Sequence, residues 1–158
     1  MSTHEKQKHE VALELMEWAI QAFLSGRGYY VAIHLAGAAE EVLAVYLRSP
    51  DMPLTPAAES FASLFLHLSE PTSEREADEL RKWGMDRMNG ARNSVKHKRG
   101  HGDNVVEFDP YEEAADAIDR AISNYTRLLQ KIQLPVVPSM DSYHLARKTT
   151  REQRERNG

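Results

Sequence analysis

At 158 residues the chain has the length of about one domain. With 41% hydrophobic and 28% charged residues and a formal charge of −4, it belongs among folded globular chains, not disordered ones. It has no cysteine, which excludes a disulfide framework, a Cys-ligated zinc or iron–sulfur centre and a thiol nucleophile. The longest apolar stretch, Val31 to Leu47, is broken by His34, Glu40 and Glu41 and is shorter than the ~20 residues of a bilayer span. The polar opening MSTHEKQKHE has no signal-peptide core. A cytoplasmic protein with no membrane partner is expected.

The prolines at 50, 53, 56, 71, 110, 135 and 138 leave long uninterrupted segments between them. None of these segments shows the period-2 alternation of a strand. From His4 to Leu24, Val11, Leu15, Trp18 and Ala22 recur at helical spacing, and Ser25-Gly26 closes the run. From Tyr29 to Arg48, the string VAIHLAGAAEEVLAVYL is apolar around nearly its whole circumference, which predicts a buried central helix. Ala36, Gly37, Ala38 and Ala39 give it a slim waist that another helix can approach closely. A short helix is expected from Thr55 to Leu68, with Thr55-Pro56 as cap and first turn. Ser73 and Glu76 form a capping box for a helix that runs to about His97, with an apolar stripe of Leu80, Gly84, Met88, Ala91 and Val95. Residues 98–108 read as a loop. Asp109-Pro110 then starts a helix whose core face carries Ala114, Ile118, Ala121, Tyr125, Leu128 and Leu129 and which ends before Pro135. These elements make an all-α, up-and-down helical bundle of four main helices plus one short helix. Residues 1–136 form the bundle domain, and 137–158 a basic polar C-terminal tail that is loose or makes one amphiphilic turn.

Charge is unevenly spread. Residues 81–101 hold seven cations (Arg81, Lys82, Arg87, Arg92, Lys96, Lys98, Arg99) against one acid, Asp86. A concentrated basic strip on an acidic protein favours a polyanionic partner, although it also suits a solvated helix face paired with acids of the last helix. On that strip Asn89, Arg92, Asn93, Lys96 and His97 line one side of the helix near its end. They offer a permanent cation, a group that titrates near neutral pH, and amides. Phosphodiester chemistry uses such groups, a base for the attacking hydroxyl and a cation for charge growing on phosphoryl oxygens. The same stripe also suits an exposed polar face with a histidine at the negative end of the helix dipole. Glu40 shares a stripe with Ile33, Ala36, Gly37, Leu43, Ala44 and Leu47 and is expected to point inward, where a carboxylate needs a cation. Arg92 fits as that partner, in a catalytic or a purely structural ion pair. His34, on the flank with Ala38, Glu41 and Val45, reads as a structural histidine hydrogen-bonded to a neighbour.

The string Arg92-Asn93-Ser94-Val95-Lys96-His97 resembles the Arg-x4-6-His signature of the HEPN superfamily, including the asparagine directly after the arginine. The all-α order, the Glu-bearing central helix and the basic fourth helix fit the same pattern over about residues 8–133. The resemblance implies a HEPN-like fold and a homodimer whose paired motifs face each other. It also implies a metal-independent endoribonuclease, in a toxin–antitoxin or defence setting with an antitoxin or regulatory protein as partner. Arg92 and His97 would then be the catalytic pair, with Asn93, Glu40, Asn89 and Lys96 in support, and neither metal nor cofactor. The alternative within the same superfamily is a non-catalytic module that binds RNA, a nucleotide or a protein. Arg99 stands where some members of the superfamily carry a tyrosine two residues after the histidine, so regulation by modification of that tyrosine is not implied here.

Other chemistries fit less well. His97, His101 and Asp103 could hold a cation, but Gly100 and Gly102 put them on a loop, and the Glu-x-x-His of di-iron bundles is missing. The Gly-x-Ser-x-Gly of serine hydrolases and a phosphate-binding glycine loop are missing too. Trp83, Met85, Met88 and Trp18 stand beside polar stripes, as interface anchors do. For Trp18 and Met88 a place in the core is the better expectation.

Overall fold

The computed structural model describes residues 5–51 and 53–157. These form six helices: α1 (Lys8–Leu24), α2 (Tyr29–Leu47), α3 (Ala57–Ser69), α4 (Glu74–Lys96), α5 (Pro110–Leu129) and α6 (Met140–Asn157). There is no strand among the described residues, so the fold is all-α.

Helix starts follow from side chains that satisfy the orphan N–H groups of a first turn. Asp109 accepts from the N–H groups of Tyr111 (2.9 Å) and Glu112 (3.3 Å), with Pro110 in the first turn of α5. Ser73 accepts from the Glu76 N–H at 3.2 Å. The Glu76 carboxylate reaches back one residue further than a capping box predicts, to the N–H (2.8 Å) and hydroxyl (2.7 Å) of Thr72. Those two bonds hold its carboxyl below the usual range. Before α3 the cap position belongs to Pro56, not Thr55. Thr55 gives its carbonyl to Arg127 of α5, and the first amide of α3, Ala57, is capped from outside by the Asn124 side chain at 2.7 Å. His4, the expected start of the first helix, lies outside the described residues.

The core is a stack of α1, α2 and α5, joined from the side by α4 and capped by α3 and α6. The aromatic pairs His9–Tyr46 and Phe23–Tyr29 show that α1 and α2 run antiparallel. Tyr29 beside Tyr111 and Glu40 beside Arg120 show that α2 and α5 run parallel. The stripes predicted for α4 and α5 point inward: Gly84, Met88 and Ala91 are buried on one, and Ala114, Ile118, Ala121, Tyr125 and Leu128 on the other. Leu129 is left 42% exposed at the end of α5, which stops five residues earlier than Pro135 requires.

On α1 the buried face is a different one from the expected stripe. Ala12, Leu13, Met16, Ala19, Ile20 and Phe23 face the core, while Val11 and Trp18 are 41% and 56% exposed. Both faces are apolar, so periodicity alone does not choose between them. The α2 helix is central, as its composition predicts. At 19 residues it is long and apolar enough to cross a membrane by length and composition, and half of it is buried among the other helices.

The segment 137–158 is not a loose tail: most of it is α6. Tyr143 is fully buried, packs on Phe23, and places its hydroxyl 2.8 Å from Asp119 and 3.1 Å from the Ala115 carbonyl. Burial and the Asp119 charge push its pKa far up. Arg147 and Arg154 both lie over the Tyr111 ring and pair with Glu112. The polar composition that suggests a tail is instead a helix built from good helix formers, held by one buried tyrosine and arginine stacking.

Candidate functional site

The expected site residues of the basic strip sit on the last two turns of α4 and the residue that follows it, and they divide among three hollows. Arg92 leans across to α2. Its Cγ and Cδ cover Gly37, where an added Cβ would come within 2.4 Å of Cδ, so the glycine of the α2 waist is what lets the arginine lie flat. Its guanidinium meets the Glu41 carboxylate at 2.9 Å, and the Arg92 side chain is only 16% exposed. Asn89, one turn earlier, shares with Arg92 a crevice of about 440 Å³ between α2 and α4, also lined by Glu40, Glu41 and Arg48.

His97 is elsewhere. The helix ends at Lys96, and His97 has extended backbone with its N–H bonded to the Asn93 carbonyl at 3.0 Å. The imidazole and the Asn93 side chain line a second hollow of about 400 Å³ with Asp86, Gly90, Arg99 and Asp103. Helical geometry accounts for the split: Asn89 and Arg92 fall on one flank of α4, and Asp86, Gly90 and Asn93 about 100° around it. Lys96 is exposed and opens on a third hollow beside Val105 and Val106. Within one protomer, then, Arg92 and Asn89 are together, His97 and Asn93 are together, and the two pairs line different hollows.

The loop after His97 turns back on itself. Gly100 adopts φ +78°, and Asp103 accepts from the Arg99 N–H at 2.6 Å. This spends Asp103 on the backbone. No group of three or more histidine, aspartate or glutamate side chains suited to a metal ion occurs among the described residues.

Several cations of the basic strip are neutralised. Arg81 pairs with Asp78 (2.5 Å), Arg87 with Glu113 (3.5 Å) and Arg92 with Glu41. Lys82, Lys96, Lys98 and Arg99 have no acidic partner within 4.0 Å among the described residues, and all four are exposed. Three of them, with His97, crowd the last residue of α4 and the start of the loop.

Glu40 does point inward, at 6% exposure, but its cation is Arg120 of α5 and not Arg92. The Arg120 Nε lies 3.1 Å from each carboxylate oxygen, and its Nη2 donates to the Met88 carbonyl at 3.2 Å. Asn124, one turn further on, donates to the Glu40 carbonyl at 3.2 Å while capping α3. This buried knot ties α2, α3, α4 and α5 together and fixes where α4 sits. Arg120 and Asn124 are absent from the residues picked out by sequence. A signal was there: α5 carries only two cations, Arg120 and Arg127, and a carboxylate buried in the middle of α2 needs one from the middle of a neighbour. His34, expected to be hydrogen-bonded, is exposed and has no such partner among the described residues. Met88 is buried, whereas Trp83 is 54% exposed and stacks on Phe65 of α3.

Behind Arg120 a hollow of about 320 Å³ is lined by Phe61, Met88, Asp116, Asp119 and Ser123. Burial pushes the Asp116 carboxyl above its ordinary range, with Arg120 and Arg147 pulling it down and Asp119 and Glu112 pushing it up. A carboxyl raised on folding destabilises the native state wherever it is ionised, and the cost disappears as pH falls into the ordinary aspartate range. Asp116→Asn is therefore expected to raise the melting temperature at pH 7 and to lose that advantage near pH 4; scanning calorimetry at the two pH values checks both.

No family model, no curated protein and no solved structure matches the chain.

Proposed function

We propose that the chain is a HEPN-like, RNA-directed helical protein that works as a homodimer and cleaves RNA without a metal ion. The observation that carries this reading is the cluster of Lys96, His97, Lys98 and Arg99 at the end of α4, exposed and without acidic partners among the described residues. Unpaired cations on an otherwise acidic protein are where phosphates collect. The up-and-down order supports the fold half of the proposal. The long helices α1 and α2 run antiparallel, α2 and α5 run parallel, and Arg92 on Gly37 with Asn89 and Met85 beside Val45 sets α4 antiparallel to α2.

In the proposed reaction the 2′-hydroxyl beside the scissile phosphate attacks phosphorus and the 5′-oxygen leaves, giving a cyclic phosphate end. His97 takes or returns the proton, and Arg92 neutralises charge on the phosphoryl oxygens. Because the two side chains line different hollows of one protomer, the reading needs the second copy to complete the cleft. A binding module without cleavage is the second reading, and the Arg92–Glu41 pair at 2.9 Å favours it: a phosphate must first displace a carboxylate.

The phosphate half is tested by salt titration on a labelled single-stranded RNA. Each phosphate contact contributes a slope of about 0.7 in log K against log salt, so the combined Lys96→Ala, Lys98→Ala and Arg99→Ala variant is expected to flatten it by about two. An unchanged slope would place the RNA elsewhere.

A further inference from the structure

Around α2, the helices α1, α5 and α4 occupy most of the circumference, and one face is left over. That face is apolar. Val31, Leu35, Ala38, Val42 and Val45 follow one another at steps of four, three, four and three residues, which puts them in one line down the helix. Val31 and Val45 are 54% and 65% exposed, and the three between them are half-buried. At ~1.5 Å per residue the line is about 21 Å long. Heptad-spaced apolar lines of this kind are covered by another helix in folded assemblies.

We propose that a second copy of the chain covers this line, its α2 antiparallel to the first with Ala38 at the two-fold axis, so that the partner's His34 meets Glu41 beside Arg92. The inference rests on the homodimer of the preceding reading, and not on RNA cleavage.

The line itself selects a second copy as occupant. Its apolar positions fall seven and three residues before Ala38 and four and seven after it. Reversed on itself, it sets Val31 against the partner's Val45 and Leu35 against the partner's Val42, which is the self-complementarity of an isologous contact. Alanine at the centre lets two helices approach to the short end of the usual ~8–10 Å.

Charge selects the register. His34 and Glu41 lie on the same flank of the line, His34 four residues before Ala38 and Glu41 three after it. A two-fold axis perpendicular to the pair keeps flanks together and carries the partner's His34 to within one residue step of the level of Glu41. Both groups have capacity to spare. His34 is exposed with no hydrogen-bond partner among the described residues, and the Glu41 side chain is 61% exposed with Arg92 at one oxygen.

The pairing makes something that neither copy holds alone. The Arg92 crevice is lined by Val42 and Val45 and so opens directly onto the interface. Guanidinium and carboxylate come from one protomer and imidazole from the other, and the symmetry makes two such clusters. The partner's His34 then stands beside the Arg92–Glu41 pair.

Because the chain has no cysteine, introduced thiols report alone. His34 and Glu41 are seven residues apart on one helix, ~10 Å, beyond the reach of an intrachain disulfide. The full chain carrying both His34→Cys and Glu41→Cys is expected to give a covalent dimer on oxidation, and neither single variant is. Val45→Glu, at an exposed position, is expected to shift sedimentation from twice the chain mass to the single mass, while Leu64→Glu on the exposed face of α3 leaves the dimer intact. Absence of the cross-link in the double variant overturns the register. A dimer that survives Val45→Glu, or that Leu64→Glu dissolves, overturns the interface, and RNA binding and cleavage measured on the same parent protein stand apart from both results. A parent chain that sediments as a monomer overturns this inference together with the homodimer.

Discussion

Arg120→Ala is expected to destabilise the protein by about 3–5 kcal/mol, because it strands the buried Glu40 carboxylate without its cation. The Glu40 and Arg120 side chains are 8% and 17% exposed, and the same arginine holds the Met88 carbonyl of α4. For a domain of this size the loss corresponds to roughly 10 °C in melting temperature. Replacing both partners, Glu40→Met with Arg120→Met, is expected to recover most of it, since no buried charge is then left alone. Thermal and urea unfolding of the three proteins make the comparison. A single variant within about 1 kcal/mol of the parent would mean that water reaches Glu40 and that the knot does not organise the bundle.

The second large effect concerns chemistry. Arg92→Ala and His97→Ala are each expected to slow RNA cleavage by about 10²–10⁴-fold while leaving the fold in place, the range for loss of a proton-transfer group or of a charge on the phosphoryl oxygens. The two should differ in binding. Lys96, Lys98 and Arg99 remain exposed beside His97 to hold phosphate, so its loss should leave RNA affinity nearly unchanged. Arg92 is tied to Glu41, so its removal frees a carboxylate in the crevice and should weaken binding as well. Single-turnover rates at saturating protein separate the two contributions. If both variants cleave like the parent, the sequence string does not mark the reacting groups.

How much of this could be read from the chain depends on what each residue competes with. The stripes of α4 and α5 are legible because their other faces are charged, so only one face suits the core. The buried face of α1 is not, since Val11, Leu15 and Trp18 make as good a stripe as Ala12, Met16, Ala19 and Phe23. The outward stripe has the spacing of α2's exposed line. The inward turn of Glu40 follows from its neighbours along the helix, but its partner does not, because Arg92 and Arg120 lie on different helices and only packing decides between them. Gly37 is decisive here: with no side chain, it gives Arg92 a bed on α2 and directs the guanidinium past Glu40 to Glu41. The C-terminal segment is hard to read for a related reason. Its composition is that of a solvated segment, and a single buried residue, Tyr143, converts it into a docked helix.

The most direct test of the proposed activity is end analysis of RNA incubated with EDTA-dialysed protein at a concentration high enough for the proposed dimer. Fragments ending in a cyclic phosphate are expected, formed without added metal and suppressed by His97→Ala. RNA that stays intact while bound, or that is cut only when a divalent cation is restored, would rule out metal-independent cleavage.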